Sequence, residues 1–311
     1  VIGDESGGIC SMTDHITLLD VTNFGNVAFR TGSTESFENS TFYSPKSRYY
    51  ANNPEGMDSW KTPNEYAGST LQLKMEEIAN SFPEKEQALI VPRSFNGSYS
   101  FETPSSDGIG GNGITNQKLW AMSSSELSVV NKYSNNLFIS YMYDWLLRSP
   151  NTSDGSLAQR CSNRTADVGI AFVEETDMCV RPALIMDISD VVFTSDASET
   201  GKSSATVGGS LVSATAPSGT VKYTMKDSSQ TITVYATPEQ STQTAETLAL
   251  SYADATAGTN QYVSCVLTDG NGAVKYYGKL ADSSNAESGD LAVPLAGIAD
   301  GTYTLKIFSE E

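Results

Sequence analysis

Few side chains in this 311-residue chain could act as nucleophiles or metal ligands of the common kinds, since it has four cysteines and one histidine. Because His15 is the only histidine, zinc sites and proton relays that need two imidazoles are excluded. The sequence contains no Gly-x-Ser-x-Gly elbow, and the adjacent carboxylates of Glu76 and Glu77 point apart on any regular element. We therefore predict no catalytic residue and no enzymatic activity, with one alternative that involves cysteine.

That alternative depends on Cys161 and Cys179. Their spacing permits a disulfide or two unpaired thiols and does not decide between the two, and a reactive pair is an alternative that only the family resemblance given below implies. Cys10 and Cys265 fall in different predicted domains, so we do not expect them to pair with each other.

The run Asp144-Trp-Leu-Leu-Arg-Ser-Pro150 combines bulky apolar residues with an arginine. Trp145 and the two leucines after it should bury a large apolar area. Arg148, like Arg181 further along the chain, has a planar guanidinium suited to a bidentate pair with a carboxylate. We interpret Trp145, Arg148 and Arg181 as structural residues, with ligand binding by the arginines as the alternative.

A polar segment from Asn151 to Thr176 separates these motifs and is preceded by two tyrosines. Aromatic rings stack on the apolar faces of sugars, while amide, carboxylate and guanidinium groups form directed hydrogen bonds. The combination is typical of a glycan- or peptide-binding surface, and a solvated loop is the alternative. The candidate ligand-binding residues are Tyr141, Tyr143, Asn151, Asp154, Arg160, Asn163 and Arg164.

The balance of 37 acidic against 19 basic residues gives a formal charge of −18, which limits the class of partner. A polyanion repels nucleic acids and anionic membranes, so we expect a neutral or cationic partner. We predict no cofactor, because the glycines at 108–113 do not open a βαβ unit. Calcium bound by Asp107, Asn112, Asp154 or the turn Asp269–Asn271 is the alternative to turns that satisfy their own backbone.

Composition divides the chain near residue 189, because every tryptophan and arginine lies at or before Arg181. We predict a ligand-binding domain over residues 1–189 and a spacer domain over residues 190–311. In the first domain the patterns predict helices over 70–82 and 124–133, short strands over 87–92 and 118–122, and a glycine-rich loop over 102–116. In the second domain, alternation of apolar and polar residues predicts a β-sandwich with strands near 191–193, 210–214, 220–225, 231–236, 245–251, 262–267, 273–278, 291–294 and 303–308.

Several separated motifs give the first domain a family resemblance. The segments Tyr66–Leu71, Glu86–Val91, Lys118–Leu127, Asp144–Pro150 and Val180–Leu184 resemble, in this order, those of an uncharacterised family of exported bacterial proteins common in gut Firmicutes. The usual marks of that family are W-W-L-R-S-P, L-L-S-x-x-E and G-V-R-P-A-L. The resemblance covers roughly residues 60–188.

The chain departs from the family pattern at two positions, with Asp144 where the first Trp is usual and Cys179 where Gly is usual. By motif order the family is similar to the C-type-lectin-like fold of formylglycine-generating enzymes and of variable receptor-binding proteins. The resemblance therefore implies an α+β C-type-lectin-like first domain, followed by an Ig-like sandwich. It also gives the alternative in which Cys161 and Cys179 act as a formylglycine-generating-type oxidative pair.

We expect from these observations an exported or cell-surface bacterial adhesion protein that recognises a glycan or protein through loops of its first domain. A structural subunit of a surface assembly is a further alternative. The sequence begins with Val1 rather than Met, so we expect a secretory or lipoprotein leader upstream of it. No apolar run reaches the ~18 residues that a membrane span needs.

Overall fold

The computed structural model describes residues 15–19, 26–29, 64–98, 103–133, 144–197 except 154, 156 and 174, 205–214, 221–235 and 246–311. The chain divides into two compact units, Val1–Ser189 and Asp190–Glu311. Among the described helices, none has the length and apolar character to cross a membrane.

The molecule is mainly β, so the predicted fold class, an α+β C-type-lectin-like domain followed by an Ig-like sandwich, is wrong. Strands make up 42% of the structure and helices 12%, and the described strands form sheets of two to four strands without a large lectin-like core. That prediction was based on the motif order of the first domain, and motif order does not determine a fold. Helical periodicity is easy to detect over three turns, whereas strands of two to five residues carry little periodic signal.

The first unit contains three helices in its described part. Helix α1 (Thr70–Ser81) confirms the helix predicted over 70–82, and the Ser69 hydroxyl caps it by accepting a hydrogen bond from the Gln72 amide at 3.0 Å. Helix α2 (Glu84–Leu89) follows directly, and helix α3 (Ser124–Tyr133) confirms the helix predicted over 124–133.

The described strands of the first unit form three small antiparallel sheets. Their bounds are β1 His15–Leu19, β2 Ile90–Val91, β3 Arg93–Phe95, β4 Ile114–Gln117, β5 Trp145–Pro150, β6 Leu157–Cys161, β7 Val168–Phe172 and β8 Ala183–Asp187. The strand orders are β1-β8-β2, β3-β4 and β5-β6-β7. The third sheet contains four residues that the sequence singled out, Trp145, Arg148, Arg160 and Cys161.

Three local predictions for this unit are only partly correct. The strand predicted over 87–92 is helical up to Leu89, because Pro83 and two glutamates in the first turn favour a helix start there. The strand predicted over 118–122 is reduced to one bridge between Trp120 and Ala183. The loop predicted over 102–116 ends earlier, since β4 begins at Ile114.

The core of the first unit surrounds Trp120 and Trp145, both of which are almost completely buried. Phe95 packs edge-on against Trp120 with ring centroids 5.9 Å apart. Leu71 from α1 and Leu127 from α3 join the same core, which connects the helices to β5. Aromatic side chains of this size contribute much of the apolar area that a small core buries.

In the second unit, strands are found at every position that the alternation predicted. Their bounds are β9 Val191–Asp196, β10 Val212–Ser213, β11 Val221–Met225, β12 Thr233–Tyr235, β13 Thr247–Ala253, β14 Tyr262–Thr268, β15 Val274–Asp282, β16 Gly289–Pro294 and β17 Thr304–Glu310. Sheets β10-β15-β14-β17 and β12-β13-β16 bury side chains in one shared core, and β9 pairs with β11. This unit is therefore all-β in its described residues.

Candidate binding site

Strand β5 has an irregular pairing with β6 that determines where Arg148 points. Leu146 is opposite Arg160 and Pro150 is opposite Ala158, so four steps along β5 match two steps along β6. The extra residues form a bulge, and bulges redirect side chains. Arg148 lies in this bulge, and its side chain is fully buried in the core.

Most of the Arg148 guanidinium is occupied by hydrogen bonds within the protein. It forms a bidentate pair with the Glu126 carboxylate at 2.5 and 2.8 Å, and it donates to the carbonyls of Ala121 at 2.8 Å and Asp107 at 2.7 Å. Its Cζ lies 4.4 Å from the centroid of the Phe95 ring. These contacts favour the structural interpretation of Arg148 over a ligand-binding role.

Glu126 also starts helix α3. The Ser123 hydroxyl accepts from the Glu126 amide at 3.1 Å, and the Glu126 carboxylate accepts from the Ser123 amide at 2.9 Å, which is a capping box. Arg93 donates to the same carboxylate at 2.6 Å. Burial alone would raise the pKa of Glu126, but the charge and hydrogen bonds of Arg148, the charge of Arg93 and the Ser123 amide hold it below its usual value. One carboxylate thus connects α3, β3 and β5.

The glycine-rich loop supports this network. The Asp107 carboxylate accepts from the Asn96 amide at 2.7 Å, while the Asp107 carbonyl receives the Arg148 hydrogen bond. Gly108 has a φ of +73°, and a Cβ there would lie 2.6 Å from the Ser123 Cβ, so glycine is required. The described part of the loop therefore has a structural role beside Arg148.

Cys161 and Cys179 lie on opposite sides of Trp145. Trp145 pairs with Cys161 across β5 and β6, and it forms a bridge with Cys179 on its other side. Neighbouring strands are ~4.8 Å apart, which separates the two cysteine Cα atoms by about 10 Å, whereas a disulfide needs them within ~7 Å. Both are free thiols. The sheet thus excludes the disulfide alternative.

Neither thiol is arranged for nucleophilic chemistry. Burial raises the pKa of Cys161 to about 12, although the charge of Arg181 opposes the shift, and burial raises the pKa of Cys179 as well. Reactive cysteines need a lowered pKa and access to solvent. Arg181 is itself buried, with its Cζ 5.6 Å from the Trp145 ring centroid. The packing around Trp145 disfavours the oxidative-enzyme alternative.

Asp144, one of the two departures from the family pattern, contacts two predicted ligand-binding residues. Its carboxylate forms an ion pair with Arg160 and accepts a hydrogen bond from the Asn163 amide at 2.8 Å. The Arg160 Nε donates to the Ile170 carbonyl at 2.8 Å. The structure therefore brings Arg160 and Asn163 together, but the Arg160 guanidinium is engaged within the protein, by Asp144 and by the Ile170 carbonyl.

The remaining candidates do not join this cluster. Asn151 follows the other end of β5, where its side-chain oxygen accepts from the Ser153 amide at 2.8 Å. Arg164 is exposed next to Asn163, in the turn between β6 and β7. Because five-residue β6 separates these two ends by over ~13 Å, the described candidates form no single site. Tyr141, Tyr143 and Asp154 lie outside the described residues.

Strand β7 carries a feature that the sequence analysis missed. Val168, Ile170 and Phe172 alternate along this edge strand and are 43%, 50% and 40% exposed. We call these three side chains the β7 face. Ala171, which points the other way, is buried. The alternation in Val-Gly-Ile-Ala-Phe was a detectable strand signal, but it does not tell which side faces solvent.

The described residues include no group of three His, Cys, Asp or Glu side chains that could hold a metal ion. At one calcium candidate, the Asp269 carboxylate accepts from the amides of Asn271 and Ala273 at 2.9 and 3.0 Å. A hydrogen-bonded ion pair with Lys275 at 3.1 Å also lowers the pKa of Asp269. The Asp269 carboxylate oxygens are therefore engaged by the amides of their own turn and by Lys275.

Comparison with known proteins gives one similarity. Residues 46–188, less than half of the chain, match DUF6273, a domain of unknown function. The matched segment contains the Arg148 network, both cysteines beside Trp145, and β7. No curated protein and no solved structure matches the chain.

Proposed function

We propose that this chain is a binding protein without catalytic activity and that the β7 face contacts a protein partner. The observation that supports this most is the exposure of three large apolar side chains in a row on one strand. Alternate strand residues are ~7 Å apart, so these side chains form a continuous apolar strip. Exposed strips of this kind are typical of interaction sites.

A protein partner fits the described residues better than a glycan does. Sugar sites combine aromatic platforms with polar groups that are free to donate, whereas the β7 face has two aliphatic side chains and one phenyl ring. The Arg160 guanidinium, which reaches this strand, is bound to Asp144 and its Nε to the Ile170 carbonyl. Apolar anchors are what a protein interface uses at its centre.

The charges around β7 suggest the character of that partner. Asp167 precedes the strand, and Glu175 and Asp177 follow it, with Asp167 and Asp177 exposed. Arg164, in the turn that leads into β7, is an exposed cation. Together with the net charge of −18, this favours an apolar partner surface with neutral or basic surroundings.

We place this activity at the surface of a bacterial cell, with residues 190–311 as a spacer for the binding unit. The motif resemblance to exported bacterial proteins and the all-strand second unit support this part of the proposal. Adhesion to a host or neighbouring cell would be its use. Surface labelling of intact cells that express the natural protein tests the location, and label confined to lysed cells would contradict it.

The binding proposal is tested on an array of purified extracellular proteins and glycans, probed with the full chain and two variants. Ile170→Lys places a charge in the β7 face. Leu73→Lys is the matched control, because Leu73 is an aliphatic residue of the same unit with 54% exposure against 50% for Ile170. We expect Ile170→Lys to weaken binding to protein spots at least tenfold and Leu73→Lys to leave it unchanged.

Two results on the same array would contradict the proposal. Protein binding that survives Ile170→Lys would place the contact elsewhere. Binding to glycan spots that neither variant changes would support the glycan alternative and remove the role of the β7 face.

A further inference from the structure

The hydrogen bonds of β6 and β7 define which backbone groups of β7 point away from the sheet. In antiparallel pairs the direction of these groups alternates along a strand. The Leu157 carbonyl points toward β5, where it accepts from the Asn151 amide at 3.2 Å. The backbone N–H and C=O groups of its partner Phe172 therefore point away from β6. By the same alternation the backbone N–H and C=O groups of Val168 and Ile170 also point away from β6. We call their outward N–H and C=O groups, with those of Phe172, the β7 edge.

Two side chains of the same protein already occupy part of the β7 edge. The Ile170 carbonyl accepts from the Arg160 Nε at 2.8 Å. The Phe172 amide donates to the Glu175 carboxylate at 3.2 Å, and the Phe172 carbonyl accepts from the Glu175 amide at 3.1 Å. Side chains thus bond two of the six outward groups and the Glu175 backbone amide bonds a third, and a strand that paired with β7 would have to displace them.

The position of Arg160 is determined by its surroundings. Its guanidinium crosses β7 over Gly169, where a Cβ would lie 3.3 Å from the Arg160 Cζ. The ion pair with Asp144 holds the far end of the same guanidinium. Glycine at 169 and a carboxylate at 144 therefore place the Arg160 Nε on the Ile170 carbonyl.

We propose that Arg160 and Glu175 guard the β7 edge and so prevent a second copy of this chain from adding its own β7 there. An edge strand with an exposed apolar face is a template for strand pairing, and proteins block such edges with charged side chains. This inference does not depend on the proposed function, because it concerns the backbone edge of β7 and not its side-chain face.

A second copy fits an unguarded β7 edge by symmetry. Antiparallel pairing centred on Ile170 would place Val168 of each copy opposite Phe172 of the other, which is a self-complementary two-fold contact. The β7 faces of the two copies would then continue each other as one apolar surface. The guard thus separates two uses of β7: its face stays available while its edge is closed.

The test is the oligomeric state of the full chain by size-exclusion chromatography with light scattering over a hundredfold range of concentration. The double variant Arg160→Ala/Glu175→Ala removes both side-chain guards and keeps the backbone bond from residue 175 to the Phe172 carbonyl. The control, Lys74→Ala/Glu77→Ala, removes one cation and one anion from an exposed pair on α1, so that the net charge is unchanged in both variants. We expect the guard variant to shift toward a dimer or larger species with concentration, and the wild type and control to stay monomeric.

Adding Ile170→Lys to the guard variant distinguishes edge pairing from misfolding. A lysine on β7 should restore the monomer if the copies associate through this strand. The inference is overturned if the guard variant stays monomeric, if Ile170→Lys does not restore the monomer, or if the wild type already associates through β7.

Discussion

Strand β5 buries all six of its residues, whereas β7, in the same sheet, leaves Val168, Ile170 and Phe172 exposed. The difference follows from the groups that lie on the side of each strand away from β6. On its far side β5 has Cys179 and the core, and its bulge sends Arg148 onto Glu126. On the far side of β7, in the described structure, Arg160 and Glu175 bond outward backbone groups of the strand.

The most conspicuous motif of the chain, Asp144–Pro150, therefore maintains the fold. Trp145 and Arg148 attract attention because tryptophan and arginine are common in binding sites, yet both are buried here. The exposed apolar surface of this sheet lies on β7, a strand that has neither tryptophan nor arginine. Substitutions in β5 should therefore change stability, and substitutions in β7 should change association.

The largest effect is expected from Arg148→Ala. This change leaves the buried Glu126 carboxylate without its main partner, so we expect the free energy of unfolding to fall by about 3–5 kcal/mol. Urea denaturation measures it. Arg164→Ala, which removes an exposed arginine, serves as the control and should stay within about 0.5 kcal/mol of the wild type. An Arg148→Ala protein as stable as this control would show that the network contributes little.

A smaller, pH-dependent effect is expected at Glu126. Its pKa is lower in the folded protein than the usual 4.5, so its contribution to stability is full above that pH and is lost as the pH falls through the folded-state pKa. The difference in stability between the wild type and Glu126→Gln should therefore be largest near neutral pH and shrink toward about pH 3. A difference that stays constant over this range would contradict the charged pair.

Substitution on β7 should have almost no effect on stability. Ile170 is half exposed, so Ile170→Lys should change the free energy of unfolding by no more than about 0.5 kcal/mol. Thermal melting of this variant beside Leu73→Lys is the measurement. A clear loss of stability would mean that the β7 face is covered in the native molecule, and the contrast with β5 would fail.

We expect the number of titratable thiols to be the same with and without reductant. In a Cys10→Ser background, three cysteines are left, and Cys161, Cys179 and Cys265 are all free. Unfolded protein should titrate three thiols with or without reductant, and native protein should react slowly because burial protects the thiols. A count of one without reductant would require the Cys161–Cys179 disulfide that Trp145 separates.

The sequence predicted those elements whose signal is local. Ser69 before an apolar stripe and Ser123 three residues before Glu126 are capping signals, and both begin the expected helices. Strand alternation in residues 190–311 was equally readable, because turns such as Asp269–Gly272 interrupt it regularly.

The candidate site was not predictable in the same way. Glu126 as the partner of Arg148 depends on a bulge in β5, which no spacing rule reveals. Arg160 and Asn163 were selected for their polar groups, but their engagement with Asp144 requires the turn between β6 and β7. The exposure of the β7 face depends on β7 being an edge strand, which is a property of the sheet and not of five residues.

The most direct test of this division between β5 and β7 is the affinity of Ile170→Lys for a partner identified on the array, measured by titration calorimetry. We expect a dissociation constant at least tenfold weaker than that of the wild type, with an unchanged melting temperature. An unchanged dissociation constant would contradict it, and so would a loss of affinity that is matched by Leu73→Lys.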